Sequence, residues 1–166
     1  ARHPRSVSRS PPGFGLFRPV WKLESEGRYG VDPIPVDQFT ARLEATCARG
    51  SQSGLPAKAA DRLIVLKSVV LTMEPGRTYT AVEMTEAMKR WMATVGPGLG
   101  TDHATLRREL VDSRLLARDA DGTSYWIPSP GPRDGDFAPE VSALDPAAIV
   151  EQARARIEQK KRERGL

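Results

Sequence analysis

The stretch Asp102-His-Ala-Thr-Leu-Arg-Arg-Glu-Leu-Val-Asp112, followed by Leu115-Leu-Ala-Arg118, Asp119-Ala-Asp-Gly122 and Thr123-Ser-Tyr-Trp-Ile127, decides the fold of this chain. Thr101 or Asp102 offers an N-cap oxygen, and Leu106 and Leu110, with Val111 beside them, recur at helical spacing. This predicts a helix ending near Ser113. The two short strand-like runs that follow flank an Asp-Gly pair, which predicts a β-hairpin.

Upstream, Thr80-Ala-Val-Glu83 matches a capping box, in which hydroxyl and carboxylate each satisfy a backbone donor of the first turn. The helix it opens runs to about Trp91 or Met92, with Val82 or Met84, then Ala87, Met88 and Trp91 inward. Before it, Ala59 to Thr72 carries Leu63, Ile64, Leu66, Val69, Val70 and Leu71, is apolar around most of its circumference, and is stopped by Pro75-Gly76. Val36, Phe39, Leu43 and Cys47 mark an accessory helix over 36–49, separated from the rest by the flexible joint Gly50-Ser-Gln-Ser-Gly54. Three helices and a hairpin in 55–127 predict a mainly α fold with a small β-hairpin: a winged helix-turn-helix core with an N-terminal extension and a C-terminal helix.

Outside 55–127 the chain is rich in breakers. Residues 1–35 form a basic Gly/Pro-rich arm, and 128–145, with Pro128-Ser-Pro-Gly-Pro-Arg-Asp-Gly135, is expected to be a linker, because proline removes donors and glycine costs backbone entropy. Asp145-Pro146 then opens a basic helix over 146–166 whose only apolar stripe is Ile149, Ala153 and Ile157. So narrow a face is a coiled-coil seam, a weakly docked tail, or a helix formed on a partner.

The segment Leu55 to about Ile127 resembles a bacterial family, the domain of unknown function 2087, found alone or appended to transcriptional regulators of the arsenical-repressor type. The resemblance rests on Leu55-Pro56, on Tyr79-Thr80, on the Asp102–Asp112 string, and on Arg118, Gly122, Tyr125 and Trp126 as an Arg-x-x-x-Gly-x-x-Tyr-Trp close. The segment departs from the family where Thr85 stands for an Asn and Ala81 for an acid, and its loop from Met92 to Gly100 is longer. The resemblance implies a winged-helix-like fold and a regulatory, nucleic-acid-linked role, with no established reaction.

The net charge of +4 hides an uneven distribution. Residues 1–23 carry +5, 24–55 −2, 56–127 +1, 128–146 −3 and 147–166 +3. Basic ends around a balanced centre suit a polyanionic partner held by arms. Such arms would use Arg2, Arg5, Arg9 and Arg18 at one end and Lys160, Lys161, Arg162 and Arg164 at the other. The last four also complement a helix dipole and keep a tail soluble.

On the 102–113 helix, the expected reading element, Arg108 lies opposite Leu106 and Leu110 together with Thr105 and Asp112, which makes it the better contact candidate. Arg107 sits nearer the apolar edge, where it either contacts nucleic acid, pairs with a carboxylate such as Asp102, or covers core surface with its stem. His103 and Arg118 complete the set. Asp112, Glu109, Asp119 and Asp121 oppose phosphate at the same place. Tyr79, Trp91, Tyr125 and Trp126 are expected in the core, whereas Phe14, Phe17 and Trp21 lie in the arm and, with Ile149 and Ile157, are candidates for partner docking.

The chain is not expected to be an enzyme: it has no phosphate-binding glycine loop, nucleophile elbow or paired carboxylates. Adjacent Asp102 and His103 diverge by about 100° on a helix, so no metal or cofactor is expected, and a single cysteine excludes an internal disulfide. With no apolar run of spanning length and no secretory signal, the expected location is the cytoplasm, with no membrane partner. The expected function is a nucleic-acid-binding or transcription-associated winged-helix protein. The alternative is a protein-interaction module docking on a larger assembly such as RNA polymerase or a ribosome, and a homodimer through the last helix is a further possibility.

Overall fold

A computed structural model of the chain describes residues 32–50 and 52–165. Five α-helices stand close to their predicted bounds: α1 (Val36–Cys47), α2 (Ala59–Leu71), α3 (Ala81–Thr94), α4 (His103–Asp112) and α5 (Pro146–Glu163). Three short strands complete the fold: β1 (Thr78–Thr80), β2 (Ala117–Arg118) and β3 (Ser124–Trp126).

Helix α2 is central because it is apolar nearly all round: Ile64, Val65, Leu66, Val69 and Val70 are all buried. Its one buried polar side chain, Ser68, donates to Val65 O and accepts from Trp91 Nε1 at 3.1 Å, so the indole of α3 enters the core with its N–H satisfied. The capping box at the start of α3 forms as expected, Glu83 N donating to Thr80 Oγ1 and Thr80 N to Glu83 Oε2. Met84, Ala87, Met88 and Trp91 face inward, and Val82, the other candidate for the first inward position, is 73% exposed.

The predicted hairpin β2–β3 is present and gains a third strand. Order is β1-β3-β2, antiparallel throughout, with Tyr79 opposite Tyr125 and Arg118 opposite Tyr125 on the other side. Strand β1 was legible only as the entry to α3. Three residues carry too little alternation to announce a strand, and its partner lies far along the chain. The order α2-β1-α3-α4-β2-β3, mainly helical with a small antiparallel sheet, is consistent with a winged-helix-like fold.

The 128–145 stretch departs from the expected linker. It has only two 3-10 turns (Asp134–Asp136 and Pro139–Ala143), yet it is packed as a strap. Phe137 and Val141 are buried, and the Phe137 ring meets Phe39 of α1 edge-on at 6.1 Å. Ile34 N donates to Asp136 O and Ala138 N to Ile34 O, joining the strap to the segment before α1. The proline-rich composition excluded long helices and strands, but it did not prevent two apolar side chains from completing the core. In the expected joint, Gln52 is likewise tied, its N–H donating to Gly98 O.

Helix α5 resolves the alternatives for its stripe as a docked tail. Val150 and Ala153 are buried, Ile149 and Ile157 half-buried, and α5 packs on α1. Arg154 fastens it: its Nη1 donates to Thr94 O at 3.1 Å, and its Nη2 to Cys47 O and Val95 O, each at 3.1 Å. Those carbonyls are the unpaired acceptors at the C-terminal ends of α1 and α3, where a cation also complements both helix dipoles.

Candidate functional site

Three of the predicted contact residues come together. Arg107, Arg108 and Arg118 line a cleft of about 280 Å³ between α4 and the β2–β3 hairpin, with Ala104, Val111, Asp112 and Tyr125. Helix α4 supplies Arg108 and Asp112 from its exposed face because Leu106 and Leu110 are fully buried on the other. The sheet supplies Arg118, whose place opposite Tyr125 puts both side chains on the face turned toward α4.

Arg107 forms the cleft's inner wall. Its guanidinium lies 5.5 Å from the centre of the Tyr125 ring, and its Nη1 donates to Thr85 Oγ1 at 3.4 Å. The ion pair with Asp102 weighed from the sequence does not form. Arg108 and Arg118 are exposed, and neither has a side-chain hydrogen bond or ion pair among the described residues.

The hairpin turn presents fewer competing acceptors than its two aspartates suggest. Asp119 Oδ1 accepts from Thr123 N and Ser124 N, and Oδ2 from the Thr123 hydroxyl, so this carboxylate organises the turn. The Thr123 hydroxyl and then the Ser124 N–H hold it below the usual carboxylate range. Gly122 sits at φ +68°, where a Cβ would come within 3.6 Å of Arg118 Nη1 and 3.7 Å of Tyr125 Oη. Both are ordinary contacts, so the positive φ alone is what would strain a side chain there.

Other predicted residues have different places. Thr105 caps α4 with Asp102, its N–H donating to Oδ1 at 2.7 Å, and lines a separate depression with Arg62 and Glu109. His103 is half-buried at the first position of α4 and lies outside the cleft lining. Lys160, Lys161, Arg162 and Arg164 are exposed on the last turns of α5, Lys161 pairing with Glu158, and line neither cavity. Arg2, Arg5, Arg9, Arg18, Phe14, Phe17 and Trp21 lie outside the described residues. Tyr79, Trp91 and Tyr125 are buried as expected, but Trp126 is 36% exposed because β3 alternates and turns it to the outer sheet face.

One residue escaped the sequence reading. Arg114 follows α4 with φ +61°, the only non-glycine residue at positive φ among the described residues. Its N–H donates to Val111 O and Leu115 N to Leu110 O, a Schellman closure that usually places glycine here. Periodicity carries no signal for a backbone angle.

Comparison with known proteins bears on the same segment. Residues 53–127, less than half the chain, match the family model described as "Uncharacterized protein conserved in bacteria (DUF2087)". This segment is similar to the DUF2087 family. It spans α2 through β3, so the whole cleft lies inside the DUF2087 segment, whereas α1, the strap and α5 lie outside it. No curated protein and no solved structure matches the chain.

Among the described residues no group of three or more His, Cys, Asp or Glu is placed to hold a metal ion, and no helix is long and apolar enough to cross a membrane.

Proposed function

We propose that this chain is a winged-helix protein of the bacterial cytoplasm that binds nucleic acid in a transcription-associated role, without catalysing a reaction. The observation that carries this is the convergence of Arg107, Arg108 and Arg118 on one cleft between a helix and a hairpin. Helix α4 enters the major groove, Arg108 reaches base edges or phosphate, and Arg118 follows the backbone from the hairpin. Arg107, stacked on Tyr125, adds field without moving. The basic tail of α5 contributes long-range attraction.

Binding to mixed-sequence duplex DNA, titrated across salt, tests this. Affinity is expected to fall steeply as salt rises, and Arg108→Ala to weaken binding by about 1–3 kcal/mol. Absence of binding at low ionic strength would remove the proposal.

A second reading, docking on a protein assembly, is favoured by one feature: Val82 is 73% exposed at the start of α3, next in sequence to Ala81, whose N–H donates to Thr123 O of the hairpin turn. Co-purification that survives nuclease treatment and is abolished by Val82→Asp would support it over nucleic-acid binding.

A further inference from the structure

The exposed face of α4 carries opposite charges four residues apart, Arg108 and Asp112, both lining the cleft. Residues at this spacing are neighbours on a helix surface, and a base with an acid there ordinarily forms an ion pair. Neither side chain has a hydrogen bond or ion pair among the described residues. The order is also the weaker one for pairing, with the cation toward the N-terminus. Asp112 is the last residue of α4, where the helix dipole opposes a carboxylate. Neither ion pairing nor the helix dipole therefore accounts for Asp112.

Asp112 also sets the chemistry of the cleft apart from a phosphate clamp. A carboxylate beside two exposed arginines repels a backbone phosphate, so three cations alone would bind one better. What suits a forked donor and an acceptor-only group side by side is a surface with both acceptors and a donor. The major-groove edge of a guanine–cytosine pair has these: guanine offers N7 and O6 to an arginine fork, and cytosine offers its N4 amine to a carboxylate. Four residues advance about 6 Å along a helix. That lies within side-chain reach of one base pair or of neighbouring pairs about 3.4 Å apart.

We propose that Arg108 and Asp112 make α4 a reader of G·C pairs, Arg108 on guanine and Asp112 on cytosine. The proposal rests on the nucleic-acid reading above. Asp112 thereby lowers indiscriminate binding while it selects sequence.

The test is selection of the full chain on a randomised duplex library at moderate salt, alongside binding to mixed-sequence DNA at low salt. Wild type is expected to enrich a motif containing a G·C pair, bound about tenfold more tightly than the same site with A·T. Asp112→Asn is expected to fold as wild type by thermal melting, to bind mixed DNA more tightly, and to shift the cytosine position toward adenine, which an amide side chain pairs. Arg108→Ala is expected to lose the guanine. Salt-sensitive binding with no G·C enrichment, or a motif unchanged by Asp112→Asn, overturns this proposal and leaves the nucleic-acid reading intact. No binding to any duplex at low salt overturns both.

Discussion

Gly96 lies against the Trp91 ring so closely that a Cβ there would stand 2.5 Å from Cζ3 of the indole. The ring is 1% exposed and tethered to Ser68, so it has nowhere to yield. Gly96→Ala is expected to destabilise by about 1–3 kcal/mol, read from denaturant midpoints. Arg114 poses the opposite case. Its left-handed backbone costs about 1–2 kcal/mol relative to glycine, so Arg114→Gly is expected to hold or raise the melting temperature. Cys47 is 4% exposed, and burial pushes its thiol up to about 12 against the pull of Arg154. Because the folded value is the higher one, burial of the neutral thiol stabilises fully at neutral pH, and that contribution is lost only as pH climbs toward 12. Native protein is expected to resist thiol reagents at pH 8 and to react on unfolding.

At the scale of elements, the hairpin depends on Asp119. Its depressed carboxyl stabilises the turn above the ordinary carboxylate range, and that support is lost as pH falls through the lower folded value. Glu83 and Asp102, at the starts of α3 and α4, titrate in the same sense, held down first by the Thr80 and Thr105 backbone N–H groups. The hairpin and both helix starts are therefore expected to loosen together below about pH 4, which NMR shifts of the Thr80, Thr105 and Thr123 amides would report. These caps and the hairpin turn were legible because they are local. A Thr-x-x-Glu or an Asp before a helix states its partner within three residues. Strand β1 was not, because Tyr79 becomes a strand residue only when Tyr125 arrives beside it. In the cleft, the outward direction of Arg108 followed from helical periodicity. The stacking of Arg107 on Tyr125 needed the hairpin's fold back onto α4, which no spacing encodes.

For the whole molecule, the family segment and the cooperative core have different edges. The core extends beyond the DUF2087 segment through Phe39 and Leu43 on one side and Phe137, Val141 and Val150 on the other. A fragment of 53–127 is expected to melt well below the longer chain and to bind apolar dyes, since α2 would lose its cover. A chain cut at Pro139 is expected to be destabilised too, and its sedimentation against the full chain also tests dimerisation through α5. Composition misled here because it reports which regular structures a segment can form, whereas packing needs only a few apolar side chains at the right places. Phe137 and Val141 are two such residues in a stretch of prolines and acids.

Arg154 grips the far ends of two helices that the chain visits long before it makes the tail. A ribosome must therefore release everything from α1 through Arg154 before those ends are bolted together. Until then the nascent chain lacks this fastening, and a pull on α5 would be felt at the ends of α1 and α3.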